Sequence, residues 1–218
     1  MLRQVSRGWR FRLQSAVVAN TTEAQLARDL LSGDMEAFDR FVETYRSKIF
    51  QYSYMMCGQR EDAEEVAQET LLKVFQSMDQ LREPERLKAW VFTIARNACY
   101  MKRRKSVFAP QHELSLEELL PVTSGDGSER RIQIADWGAL PDTEVLRKEL
   151  REELDRAIGE LPDIYRSVIM LRDIEELSTE EAAEVLGVSI EVIKTRLHRA
   201  RLSLRQKLDE YLRGAAKN

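Results

Sequence analysis

The stretch LSTEEAAEVLGVSIEVIKTRLHRARLSLRQKL, residues 177–208, decides the fold of the C-terminal third. Ser178 can cap a helix whose third residue is Glu181, so that side chains satisfy free backbone amides in both directions. Ala182 and Ala183 are small and let a second helix cross closely. Gly187, directly after Leu186, can take the positive φ that ends a helix and opens a tight turn. Ser189 caps the following helix, which carries Ile193, Leu197, Ala200, Leu204 and Leu208 at steps of 4, 3, 4 and 4. Its other side presents Glu191, Lys194, Thr195, His198, Arg199, Arg201 and Arg205. A short helix, a glycine turn and a longer basic helix are the parts of a helix-turn-helix, whose second helix enters the major groove. An ordinary helical hairpin with a solvated charged face is the competing reading. The small residues, the glycine and the basic outer face occurring together favour DNA.

Upstream of this motif, Leu146, Leu150, Leu154, Ala157 and Ile158 form one apolar stripe. Pro162 suits the first turn of the next helix, with Ile164, Val168 and Leu171 facing inward. These segments make a helical block over residues 141–213, followed by a short tail, 214–218. Residues 106–140 read differently: Pro110, Pro121, Gly138 and the Ser124-Gly125-Asp126-Gly127-Ser128 cluster interrupt any period. This is an irregular acidic linker, with at most a turn of helix at Leu116–Leu120, and it marks a domain boundary.

A second helical block spans residues 21–105. Thr21 or Thr22 can cap a short helix that Ser32-Gly33 ends. From Asp34, Phe38, Phe41, Val42, Tyr45, Ile49 and Tyr52 recur at helical spacing until Cys57-Gly58. A third helix over about 61–78 puts Ala63, Val66, Ala67, Thr70, Leu71, Val74, Phe75 and Met78 on one face, with Glu61, Asp62, Glu64 and Glu65 at its positive end. A fourth, over about 86–105, buries Leu87, Val91, Ile94 and Ala98. Four helices with short connections describe a small bundle. The fold class is therefore all-α, two small helical domains joined by a linker.

Composition bounds the function. The 218 residues carry 34 Lys+Arg against 37 Asp+Glu, a net charge of −3, and a third of all residues are charged. No apolar run approaches the roughly 20 residues a spanning helix needs, so membrane insertion is not expected. Two cysteines, Cys57 and Cys99, provide neither a disulfide framework nor a zinc tetrad and suit a reducing cytoplasm; both read as apolar helix positions. His112 has no metal-ligand spacing around it. No glycine-rich phosphate loop, metal cluster or nucleophile–base set is present, so no catalytic role, metal or cofactor is expected. The positive charge is local instead. It gathers in a basic arm at residues 1–20, along 93–111, and along 189–207, where Lys194, Arg196, Arg199, Arg201, Arg205 and Lys207 face Glu191 alone. Two separated basic stretches on a slightly acidic body read as local phosphate-binding surfaces.

The fourth helix has an unusual second face: Arg86, Trp90, Thr93, Asn97, Tyr100 and Arg104. Aromatics, amides and arginines along one stripe can receive unstacked bases and their backbone. The alternative is that Trp90 is half core and the remainder a solvated face.

Taken together, DAEEVAQETLLKVF at 62–75, LKAWVFTIARNACYMKRR at 87–104 and the 177–208 stretch resemble the extracytoplasmic-function (ECF) group of sigma-70 family RNA polymerase sigma factors. The resemblance covers about 26–105 and 142–212, and three such strings in order are highly specific. It implies that the first block is region 2, docking on the β′ clamp helices of core RNA polymerase through Glu65, Gln68, Glu69 and Leu72. The same resemblance implies capture of the melting −10 element by Arg86, Lys88, Trp90, Thr93, Arg96, Asn97, Tyr100, Lys102, Arg103 and Arg104. The last block resembles region 4, with the β flap as its contact on the polymerase. It would read the −35 element through Ser189, Lys194, Thr195, Arg196, His198, Arg199 and Arg201. Promoter DNA, core polymerase and an anti-sigma factor released under stress are the implied partners, and the linker would thread the polymerase near the RNA exit path.

Departures also stand out. Glu191-Val192-Ile193 replaces the family's common Gly-Thr-Val, the loop with Glu83-Pro84-Glu85 is individual, and the basic arm has no counterpart. A stand-alone helix-turn-helix regulator with the first block as sensor is the rival function, and such a sensor has no need of the Glu65/Gln68/Glu69 patch. The basic faces of the free chain are expected to be masked, by the two blocks packing together or by an anti-sigma protein.

Overall fold

A computed structural model describes residues 23–105 and 144–215. The basic arm, the expected cap at Thr21 or Thr22, the linker with its Leu116–Leu120 turn, and the last three residues lie outside the described residues. All regular elements among the described residues are helical. Helix α1 covers residues 23–31 and ends in a turn at Gly33, whose φ is 81°. Helix α2, Met35–Cys57, starts at a side-chain cap: the Asp34 carboxylate accepts from the Glu36 amide at 2.9 Å. Gly58 ends it in the left-handed conformation, φ 78°.

Helices α3 (Arg60–Gln76) and α4 (Leu87–Lys105) are joined by two 3-10 turns, Met78–Gln80 and Pro84–Arg86. Helix α3 is shorter than the apolar spacing predicts. It releases at Ser77, and Phe75, expected on the inner face, is 54% exposed with its ring edge-on to Phe38 at 4.9 Å. With α2 already lined by Phe41, Tyr45, Ile49 and Tyr52, all at 0% exposure, the last turn of α3 has no room inside for another ring. Helix α4 is buried more widely than one stripe: Phe92, Ala95 and Cys99 join Leu87, Val91 and Ala98 in the core. The reason is that α4 packs against α2, α3 and α7 at once.

The second block holds α5 (Glu144–Gly159), α6 (Asp163–Ile169), α7 (Thr179–Leu186) and α8 (Ile190–Ala215). Pro162 sits at the cap of α6 rather than inside its first turn. A π turn, Met170–Ile174, follows α6 and was not foreseen by a 3.6-residue period. Its wider loop carries both Met170 and Leu171 into the core, each at 1% exposure or less. It leads to a buried carboxylate, Glu175, and to Glu176 at φ 58°. The helix-turn-helix follows the sequence closely. Ser178 and Glu181 complete their reciprocal cap at 3.0 and 2.6 Å, and Gly187 turns at φ 66°.

The blocks lie against each other and share one hydrophobic core. The Arg166 guanidinium of α6 donates to the Met55 carbonyl of α2 at 2.7 Å and to its own Leu161 carbonyl at 2.7 Å. Arg103 of α4 pairs with Asp163 of α6, and Arg86 with Glu184 of α7 at 2.8 Å. Helix α4 thus forms the wall between them.

Candidate nucleic-acid interface

Helix α8 presents two faces, as its spacing predicts. Ile193, Leu197, Ala200 and Leu204 are buried under it, and the opposite side is polar. At its start the Ser189 hydroxyl accepts from the Val192 amide at 3.3 Å, so this side chain serves as a cap. Glu191 is held below the usual carboxylate range by its own backbone amide and by Ser189, the free amides of a helix N-terminus favouring negative charge. Lys194, Thr195 and His198 are exposed on the first turns, and Arg199 is half-buried. The Thr195 hydroxyl returns to the Glu191 carbonyl at 2.9 Å. Arg196 is partly buried, and its Nε has no hydrogen-bond partner. Arg201 forks onto Asp173 in the π turn, Nε to Oδ2 at 2.9 Å, and this pairing raises its pKa. The basic side chains are thus divided: Lys194 faces outward with His198 exposed beside it and Arg199 half-buried, while Arg201 is engaged within the chain.

Helix α4 divides its predicted stripe in the same way. Tyr100 is 68% exposed, with Asn97 and Arg104 also exposed on that side. Trp90 is half-buried and packs on the core, so the reading of Trp90 as partly structural holds in the free chain. The Thr93 hydroxyl bonds the Ala89 carbonyl at 2.9 Å. Arg96 donates to the Asn97 amide oxygen at 3.2 and 2.6 Å and passes 3.8 Å from where a Cβ on Gly187 would stand. The remaining cations all have acidic partners. Arg86 meets Glu184, Lys88 lies 3.9 Å from Glu23, and Arg103 meets Asp163. Lys102 bonds Glu65 and lies 3.2 Å from Asp62, which together raise its pKa.

The third cluster is the outward face of α3. Glu65, Gln68 and Glu69 are exposed, and Leu72 is 56% exposed beside Phe75. Carboxylates and an amide around bare apolar side chains are the composition of a protein-binding patch. Glu65 alone among the four is tied to α4, through Lys102. Phe75 escaped the sequence reading because helical period places it inward; its neighbour Leu72 was the available signal. Asp163, Asp173 and Glu184 were also missed, since long-range ion pairs leave no periodic trace.

Among the described residues no group of histidine, cysteine or carboxylate side chains is arranged to hold a metal, and no helix is long and apolar enough to cross a membrane.

Comparison with known proteins identifies the family. Residues 41–107 match the family described as Sigma-70 region 2, and residues 151–204 match Sigma-70, region 4. The ECF RNA polymerase sigma factor SigW of Bacillus subtilis is 34% identical over 181 residues, covering 83% of this chain and 94% of SigW. RNA polymerase sigma factor YlaC of the same organism is 30% identical over 173 residues, 79% of this chain and 92% of YlaC. The solved structure of the sigma factor RpoE with the anti-sigma factor NepR from Bartonella quintana superposes with a TM-score of 0.56 at 25% identity, over 80% of this chain and 98% of that one. CnrH, solved with the cytosolic domain of CnrY, has the same TM-score of 0.56 at 24% identity over 86% and 97% of the two chains, and it shares the fold. With both regions matched in order and SigW aligned nearly end to end, the chain belongs to the ECF group of sigma-70 family RNA polymerase sigma factors.

Proposed function

We propose that this alternative sigma factor docks on core RNA polymerase through Glu65, Gln68, Glu69 and Leu72, and that promoter DNA is then shared between α4 and α8. Helix α4, with Arg86, Lys88, Trp90, Thr93, Arg96, Asn97, Tyr100 and Lys102–Arg104, captures the −10 element. Helix α8 reads the −35 element with Lys194, Thr195, His198 and Arg199 near its start, while Ser189 caps it and Arg196 and Arg201 support the backbone contacts. Opening of the DNA is driven by exchanging base stacking for contacts to extruded bases. No covalent step falls to this chain. Region 2 spans 21–105, region 4 spans 141–213, and the work is done in the cytoplasm. The observation that carries the reading is the exposed α3 patch, which a stand-alone regulator has no use for.

The free factor is closed. Region 4 sets Asp163 and Glu184 on Arg103 and Arg86, so acids of one block occupy cations that the other needs for phosphate. An anti-sigma partner fits the same logic, and the likeness to RpoE, solved with NepR, supports it.

Two experiments test this. Run-off transcription with core polymerase should start RNA at discrete sites only when the chain is added; unchanged start-site selection would sink the function. The variant Gln68→Lys/Glu69→Lys should lose core polymerase in a pull-down while keeping its fold. Retention of the polymerase would refute the docking assignment and leave the function standing.

A further inference from the structure

Cys57 is the last residue of α2 and Cys99 lies in the second half of α4, and their sulfurs stand 3.6 Å apart. Cys99 is 3% exposed, whereas Cys57 is half-buried and reachable from solvent. Two sulfurs in van der Waals contact need a movement of only about 1.5 Å to bond. The surroundings also differentiate the pair. Hydrogen bonding from Cys99, with help from Arg103 and Lys102, favours the thiolate at Cys57 against the effects of burial and of Asp62. The same contact and burial keep Cys99 protonated. An accessible sulfur with thiolate character beside a buried second thiol is the arrangement of an attacking and a resolving cysteine.

We propose that Cys57 and Cys99 form a reversible intramolecular disulfide under peroxide. The Cys57 thiolate attacks one peroxide oxygen; the O–O bond breaks, the departing hydroxide takes up a proton as water, and Cys57 is left as a sulfenic acid. The Cys99 sulfur then attacks the Cys57 sulfur. The S–O bond breaks and the leaving hydroxide takes the Cys99 proton. The sum is two thiols and one hydrogen peroxide giving one disulfide and two waters. A dithiol reductant reverses the bridge by thiol exchange.

The position gives this chemistry something to act on. The bridge would close a loop between positions 42 residues apart, and that loop holds all of α3 with its exposed carboxylates and Leu72. It also lies under the seam between the blocks. Met55, two residues before Cys57, accepts the Arg166 hydrogen bond, and Arg103, one turn after Cys99, pairs with Asp163. Oxidation therefore braces region 2 at the point where region 4 rests on it.

The test uses the full chain, reduced, then exposed to a few equivalents of hydrogen peroxide and quenched with a maleimide in denaturant, which brings the reagent to the buried Cys99. The expected product is a monomer two hydrogens lighter, resistant to maleimide at both cysteines, giving a linked Cys57–Cys99 peptide. Its thermal midpoint should rise by a few degrees or more, and a dithiol should undo both changes. The variant Cys99→Ser should instead hold Cys57 as a sulfenic acid that a dimedone reagent captures. Three results would overturn the proposal. One is Cys57 passing to sulfinic acid while Cys99 still reacts with maleimide. The others are bridging between molecules only, and a Cys99→Ser chain whose Cys57 is inert to peroxide.

Discussion

Neutralising Asp163 and Glu184 should open the free factor and raise its affinity for DNA. The Arg103–Asp163 pair is half-buried, with side-chain exposures of 26% and 37%, and contributes about 1 kcal/mol; Arg86–Glu184, at 40% and 53%, contributes a few tenths. The closed form of Asp163→Asn/Glu184→Gln is then weaker by roughly 1–1.5 kcal/mol. Where the binding-competent form is the minor one, apparent affinity scales with its population, so Kd should fall about fivefold to tenfold. Removing two negative charges also strengthens DNA binding generally. The control is therefore Asp39→Asn/Glu43→Gln, two exposed carboxylates on α2 with the same change in net charge. Fluorescence anisotropy on a promoter fragment recovered by run-off mapping, at one fixed ionic strength, measures both. If the two double variants gain equally, the acids at the seam do not hold the factor shut and the reasoning fails.

Other consequences follow from single groups. Arg199→Ala should weaken binding to −35 DNA by several-fold while leaving polymerase binding unchanged; equal loss of both would count against the assignment. Tyr52→Phe should be neutral or stabilising by up to about 1 kcal/mol in denaturant melts, because the Tyr52 hydroxyl is buried with no hydrogen-bond partner. Glu181→Ala should cost about 1 kcal/mol by removing one half of the α7 cap. Glu175 is buried facing Lys88 and Lys48, with Glu23, Glu176 and Tyr45 nearby, and burial raises its pKa above the ordinary 4.5. A raised carboxyl stabilises fully below its unfolded pKa and loses that contribution as pH climbs through the folded value. Glu175→Gln should accordingly melt higher than the parent at pH 7, and the gap should vanish in acid; a gap constant with pH would contradict the burial argument.

Much of the site was readable in the sequence where local rules decide. The cap at Ser178, the turn at Gly187 and the apolar ladder from Ile193 to Leu204 follow from spacing and backbone stereochemistry, and the structure reproduces them. What escaped depends on neighbours distant in the chain. Phe75 is turned out because α2 has filled the core, Cys57 and Cys99 meet across two helices, and the partners of Arg86, Arg103 and Arg201 come from other elements. The π turn escaped for another reason: it breaks the period on which helix reading rests. Sequence alone also treated the two blocks as separate modules, and the seam along α4 was foreseen only as one of two ways to mask charge.

Lys102 sits between two worlds, bonded to Glu65 on the α3 patch and rooted in the helix assigned to the −10 element. On the proposed docking, polymerase would claim Glu65, and the ammonium would keep only Asp62 and be able to turn to a phosphate. Thermodynamic reciprocity then requires the converse: nucleic acid that draws Lys102 away bares Glu65 for the enzyme by the same factor. Because the pair lies at the surface, where water and salt screen it, that mutual help is small. Under that proposal it would be a bias in the order of assembly, built from one shared side chain, by which each arrival eases the next.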